Sequence, residues 1–150
     1  MISQFVGEFR FLSNFYTCPA PIPWHGRLYA RVENAYQAEK TQDYEAFLDI
    51  SAAKAKELGN TLPKRPDWIE ISLPTMEQLL EIKFSNPRLR DLLLKTGTEE
   101  LVEGNTWHDN FWGVCGCSKC RPKLKLNNLG KLLMKVREKI INEKSTLLDG

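Results

Sequence analysis

Apolar residues recur at helical spacing along most of this chain and alternate only briefly. Phe5, Phe9 and Phe11 fall at odd positions with Glu8 and Arg10 between them, which predicts a short half-buried strand. Residues 13–26 are punctuated by Pro19, Pro21 and Pro23; each removes a backbone donor and fixes φ, so this loop should run extended at an edge or over the surface. A helix is predicted over residues 31–42. Asp43 reads as the N-cap of a second helix through Leu58, with Gly59 at C′. After Pro63-Lys64-Arg65-Pro66, the capping-box pattern Thr75-Met76-Glu77-Gln78 predicts the start of a third helix ending at Phe84. Asn86 as N-cap, Pro87 at N1 and Gly97 past the end bracket a fourth, with Leu89, Leu92 and Leu93 on its apolar face. Residues 100–103 suit a second short strand, and residues 104–125 read as a long irregular segment. Leu129, Leu132, Leu133, Val136 and Ile140 form the stripe of a last helix, and residues 145–150 a fraying tail. The sum is an α+β fold, mostly helical with a few short strands.

Composition limits what such a fold can do. With 150 residues, 42% hydrophobic and 10% aromatic, the chain can fill one core and reads as a single domain. A formal charge of +2 is far from the footprint of a non-specific nucleic-acid binder, so any phosphate binding must be local. Apolar runs such as Leu92-Leu93-Leu94 fall far short of the roughly 20 residues that span a bilayer. The start Met1-Ile2-Ser3-Gln4-Phe5 has neither the basic opening nor the apolar core of a secretory signal. A reducing, cytoplasmic setting with free thiols is therefore expected.

Three segments carry candidate chemistry. In Val32-Glu33-Asn34-Ala35-Tyr36-Gln37-Ala38-Glu39-Lys40, the residues Glu33, Gln37 and Lys40 share one helical stripe, so an acid, an amide and an amine face one place; the alternative is a solvated face with an ordinary charge pattern. In Asn105-Thr106-Trp107-His108-Asp109-Asn110-Phe111-Trp112-Gly113, a carboxylate lies between two indoles that could stack a flat ring, or that could simply plug the core. Cys115-Gly116-Cys117-Ser118-Lys119-Cys120 could supply three thiolates to zinc. A fourth ligand is not obvious, the other soft candidates being Cys18, His25 and His108, and the cysteines are otherwise free thiols in a turn. His108 on its own reads as a loop residue.

In order along the chain, Phe9-Arg10-Phe11-Leu12-Ser13-Asn14-Phe15, the Val32–Lys40 segment, Lys83-Phe84-Ser85-Asn86-Pro87, Leu101-Val102-Glu103, Trp107-His108-Asp109-Asn110-Phe111-Trp112-Gly113 and Asn127-Asn128-Leu129-Gly130-Lys131-Leu132-Leu133-Met134 resemble the motifs of the NADAR (YbiA-like) family. The resemblance implies a compact, largely helical fold with a pocket for a ribose-phosphate compound, and hydrolysis of an N-glycosidic bond; carboxylate charge can stabilise the developing cation directly, so neither cofactor nor metal is expected. Family members act on phosphorylated intermediates of riboflavin biosynthesis or remove ADP-ribose from modified nucleobases such as guanine. The expected partner is thus a small ribose-phosphate molecule or an ADP-ribosylated nucleobase, free or within nucleic acid. Val114 stands where the YbiA branch has Asp, and the cysteines replace a Gly- and Lys-rich stretch. Both departures favour the ADP-ribose-removing branch.

Under that resemblance, Glu33 is the expected carboxylate beside the anomeric carbon and Asp109 the second acid, with the two roles interchangeable. Lys40 and Arg10 would contact phosphate, while Asn14, Gln37 and Asn127 would bind ribose hydroxyls. Trp107, Trp112 or Tyr36 would stack the leaving base. Two other readings compete: a non-catalytic module that holds ADP-ribose or a nucleotide, and a zinc-dependent nucleic-acid module built on the cysteine loop.

Overall fold

The computed structural model describes residues 1–149, with side chains through Leu147. The chain forms two compact units, one of Asn14–Asn86 and one of Met1–Ser13 together with the chain from Pro87 onward. Its secondary structure is mostly helical with a few short strands, the expected α+β class.

The Asn14–Asn86 unit opens with an antiparallel hairpin, β1 (Ile22–Trp24) and β2 (Arg27–Tyr29), in the register Ile22↔Tyr29, Pro23↔Leu28, Trp24↔Arg27. His25 and Gly26 both have positive φ, the geometry of a two-residue hairpin turn matching the strand twist. This hairpin falls in and beyond the stretch read from sequence as a plain loop. Helix α1 (Val32–Thr41) packs against α2 (Ala52–Thr61) and α3 (Trp68–Lys83). Gln42 ends α1 in the left-handed region. Ala35, Ala38, Phe47, Ala55, Leu79 and Leu80 are fully enclosed and form this unit's core.

The second helix departs from expectation at both ends. Asp43 caps only one turn, Oδ1 accepting from Ala46 N, and residues 43–50 stay irregular because the Asn34 amide donates to the carbonyls of Phe47 (2.9 Å) and Ile50 (2.8 Å). Those carbonyls are drawn out of any helical ladder. The true cap is Ser51, whose hydroxyl accepts from Lys54 N, and the helix runs through Gly59 rather than stopping there. Gly59 is needed for closeness, since a Cβ would lie 1.9 Å from the Gln37 side-chain oxygen. Helix α3 likewise starts seven residues before the expected capping box and carries Pro74 in its interior, on an exposed position. Buried residues Trp68, Ser72, Thr75, Met76, Leu79, Leu80 and Lys83 hold a continuous stripe through the proline, so packing outweighs the local cost.

In the other unit, Gly7–Leu12 is a 3-10 helix rather than a strand. Gly7 has φ +59, outside any strand conformation, and the three-residue turn buries Phe11 and Leu12. Helix α4 (Pro87–Lys95) has the expected proline start, and Gly97 turns at φ +63. Leu101 forms a single parallel bridge with Ile2 in place of a strand. The strands of this unit are β3 (Gly104–Asn105) and β4 (Val114–Cys115), a short parallel pair. Helix α5 (Asn128–Asp149) buries Leu129, Leu133 and Val136. It continues through most of the tail expected to fray; Gly150 lies outside the described residues. Gly130 meets the Leu101 carbonyl so closely that a Cβ would stand 2.0 Å from its oxygen.

Candidate active site

Helix α1 is buried on every side from Val32 to Lys40. Glu33, Asn34, Gln37, Glu39 and Lys40 are all enclosed, none more than 8% exposed. A solvated charge stripe is therefore not what the sequence encodes. Burying so many polar groups is costly unless each is paired or serves a ligand. Glu39 is fully engaged: it accepts from the Tyr44 hydroxyl, meets His25 Nε2 at 3.0 Å and pairs with Arg65 at 3.3 Å. That carboxylate is fold machinery.

Glu33, Gln37 and Lys40 form the other stripe. Gln37 Nε2 donates to Glu33 Oε1 at 2.9 Å, and Glu33 N donates to the Asn14 carbonyl at 3.1 Å. Asn14 is itself buried, its amide directed at Met76 sulfur at 3.5 Å. Burial pushes the Lys40 ammonium below its ordinary pKa, an effect opposed by the Glu33 charge. Three side-chain oxygens in this unit, Asn14 Oδ1, Asn34 Oδ1 and Gln37 Oε1, are buried without a hydrogen-bond partner. Orphaned buried acceptors are rare in folded proteins and mark places where a donor is missing. Tyr36 packs against Trp68 with ring centroids 5.0 Å apart and is nearly enclosed.

Lys83 is a further buried cation, not singled out from the sequence. It is 2% exposed, lies 5.7 Å from the Tyr16 ring centroid and 5.2 Å from that of Phe84, and burial holds its pKa down at about 8, with Cys18 opposing. The signal was present: Lys83 falls seven residues after Met76 and four after Leu79 on the buried stripe of α3.

The remaining expected site residues belong to the other unit. Arg10 is exposed on the 3-10 helix. Asp109 Oδ1 accepts from Phe111 N (3.2 Å) and Trp112 N (2.9 Å), while its backbone is gripped by Asn105, so this carboxylate shapes its loop. Trp112 is half-buried, edge-on to Phe111, and Trp107 is 56% exposed, which removes the reading that it plugs the core. Asn127 has both ends of its amide committed to backbone, Nδ2 to Leu101 O and Oδ1 to Glu103 N. It secures a turn at positive φ, which accounts for an Asn there without any ribose contact.

His108 is not the isolated loop residue its sequence context suggests. Its Nδ1 lies 3.3 Å from Cys117 Sγ, 3.3 Å from Cys120 Sγ and 3.8 Å from Cys115 Sγ. It supplies a fourth soft donor atom beside the three sulfurs, from a residue with a left-handed backbone (φ +70). Hydrogen bonding from the Cys117 backbone N–H holds the Cys115 thiol down, to about 6. A separate open groove of about 540 Å³, lined by Met1–Gln4, Val6, Phe9, Lys95, Thr96 and Glu99, contains none of the expected site residues.

The NADAR domain family model matches residues 4–141. The chain belongs to the NADAR family. It is 40% identical over 140 residues to the N-glycosidase Npun_R5314 of Nostoc punctiforme, covering 87% of this chain and 85% of that protein. The N-glycosidase YbiA of Escherichia coli is 34% identical over 131 residues, covering 83% of this chain and 78% of its own length. The NMR structure of E. coli YbiA superposes with a TM-score of 0.79 at 30% identity, over 96% of this chain and 87% of that one. The maize chloroplastic riboflavin biosynthesis protein PYRR is 35% identical over 127 residues, covering 73% of this chain but only 19% of that protein. None of the helices in the described residues is long and apolar enough to cross a membrane.

Proposed function

We propose that this NADAR protein hydrolyses the ribosyl C–N bond of a nucleotide-like substrate, with Glu33 as the carboxylate that favours the cationic anomeric carbon. The class of reaction follows the N-glycosidase relatives. The observation that carries the assignment of residues is the buried stripe of α1, where Glu33 and Lys40 are held away from water beside acceptors that lack donors. The Asn14 and Gln37 amides beside Glu33 are of the type that binds hydroxyl-rich ligands such as ribose. Lys40 suits an anionic group, since a phosphate would offset the cost of enclosing its ammonium.

In the reaction, the bond from C1 to nitrogen breaks with its electron pair leaving on the base. A water adds its oxygen to C1, gives one proton to a carboxylate, and the departing nitrogen takes up a proton. Glu33 is the proposed electrostatic partner of C1 and Asp109 the proposed second acid; Arg10, Trp107 and Trp112 remain candidates for phosphate and base. Between the two substrate classes, removal of ADP-ribose from a modified nucleobase is favoured by the sequence departures at Val114 and the cysteine loop. Cleavage of riboflavin-pathway intermediates is supported by the likeness to PYRR.

The test is to incubate the protein separately with ADP-ribosylated guanosine and with the phosphorylated riboflavin intermediates and to follow released base by chromatography. Glu33→Gln is expected to bind ligand and lose about 100-fold or more in turnover. Intact substrate in both incubations, with tight ADP-ribose binding, would instead establish a non-catalytic reader.

A further inference from the structure

The segment between β3 and α5 brings together four soft donor atoms that the reaction does not use. Nδ1 of His108 and the Sγ atoms of Cys115, Cys117 and Cys120 all lie within 4.8 Å of one another. One imidazole nitrogen offers a single proton or a single lone pair, so it can satisfy only one thiol by hydrogen bonding. Here three sulfurs surround it at 3.3, 3.3 and 3.8 Å. Hydrogen bonding leaves that arrangement unexplained, whereas a shared centre accounts for it.

The spacing fits one ion. With Zn–S of about 2.3 Å and Zn–N of about 2.05 Å, a tetrahedron places nitrogen about 3.6 Å from each sulfur and sulfurs about 3.8 Å apart. We propose that His108, Cys115, Cys117 and Cys120 form a closed, structural Cys3His zinc site. Four protein ligands complete the tetrahedron, so the ion is not a Lewis acid for the glycosidic bond. An iron–sulfur cluster is disfavoured, because ligands on its different irons would spread beyond the 4.8 Å limit seen here. A disulfide among the three cysteines would strand the third sulfur and the imidazole, and all the cysteines are free.

The surroundings agree with a charged centre. Three thiolates and a divalent ion leave a net negative charge; Lys119 lies within the loop, and Arg121, Lys123 and Lys125 follow it in the chain. Lys125 Nζ closes the turn by donating to the carbonyls of Cys120 (2.8 Å), Lys123 (3.1 Å) and Arg121 (3.2 Å). From the other side, Cys115 N donates to Asn110 Oδ1 and Gly116 N to Asn105 O, fixing the ligand-bearing backbone. The positive φ of His108 costs of order 1 kcal/mol, a strain that a metal bond readily offsets. His108 is flanked in the chain by Trp107 and Asp109, so the ion would set where both emerge. The site itself does not depend on what those two residues do.

The experiment uses the full chain without a histidine tag, purified in a non-chelating reductant. Elemental analysis should find about one zinc per chain, bound with an apparent Kd of about 10 nM or tighter. Replacing it with Co(II) should give an intense tetrahedral visible spectrum with thiolate-to-cobalt charge transfer. Cys117→Ser and His108→Ala should weaken retention at least about tenfold, while Cys18→Ser, a cysteine outside the cluster, should keep full occupancy. Stripping by a strong chelator should lower the melting temperature and free three additional thiols for titration. Well under one equivalent of zinc after reconstitution of reduced protein, or a weak octahedral cobalt spectrum, overturns the proposal even if the variants do not fold.

Discussion

Replacing Lys83 with methionine should change how the protein's stability depends on pH, in a direction fixed by the structure. The ammonium is enclosed by α3 and its surroundings, and its pKa falls from 10.5 to about 8 because burial disfavours the charge. At about 1.4 kcal/mol per unit, that displacement corresponds to roughly 3 kcal/mol of penalty for holding the charged form in the folded state. An unfolded chain keeps this proton until about pH 10.5, whereas the folded chain releases it near pH 8. Between those values the unfolded state binds more protons, so stability rises with pH; below pH 8 both states are charged and the full penalty applies. Methionine has similar length and no charge, but it gives up the cation–π contacts with Tyr16 and Phe84, about 0.5–1 kcal/mol each, together with the ammonium's remaining contacts. Relative to the parent, the methionine variant should stand about 3 kcal/mol better at pH 7 than at pH 10.5. Urea unfolding followed by circular dichroism, at fixed ionic strength across that range, measures it, with an unchanged slope confirming the same unfolding transition. The Cys18 thiol is pushed up by burial and drawn down by Lys83 and Arg31, so the comparison should be repeated in a Cys18→Ser background. A difference that is the same at every pH, or one that moves in the variant's favour as pH rises from 8 to 10.5, would refute the argument from burial.

Three further outcomes follow from particular contacts. Asp109→Asn should fold like the parent, because an amide oxygen can accept from Phe111 N and Trp112 N, yet lose turnover if the charge matters; Asp109→Ala should also lower the melting temperature, by an amount equivalent to about 1–2 kcal/mol. Gly130→Ala should cost about 3 kcal/mol or prevent folding, since its Cβ would meet the Leu101 carbonyl at 2.0 Å; wild-type stability would mean that the α5 entrance can shift. Ser51→Ala should remove about 1 kcal/mol by uncapping α2, with Ser51→Asp restoring it, both read from denaturant midpoints.

Much of the architecture could be read where one local rule acted alone. Pro87 and Gly97 bracketed α4, and the stripe from Leu129 to Val136 announced α5. Reading failed where a distant group overrode a local one. Asp43 looked like a helix cap, but the Asn34 amide took the carbonyls a helix would have needed. Gly59 looked like a terminator, but it is small because Gln37 lies over it. Thr75 looked like a helix start, but the buried face of α3 begins at Trp68 and continues through Pro74. At the site, the α1 stripe was visible as a pattern while its burial was not, since the same charges could as well have faced water. That His108, among the soft candidates, is the one that meets the three sulfurs was not legible from spacing, since the meeting is made by an irregular segment in which His108 has a left-handed backbone.

Glu39 gives the irregular parts of the Asn14–Asn86 unit a shared fate. His25 comes from the hairpin turn, Tyr44 from the segment that failed to become helix, and Arg65 from the proline-flanked linker; all three end on this carboxylate. Segments without regular ladders ordinarily open singly and exchange their amide protons fast. Tied to one buried anion, these three should instead open in concert with α1, so neutralising Glu39 would turn one slow-exchanging block into several fast ones.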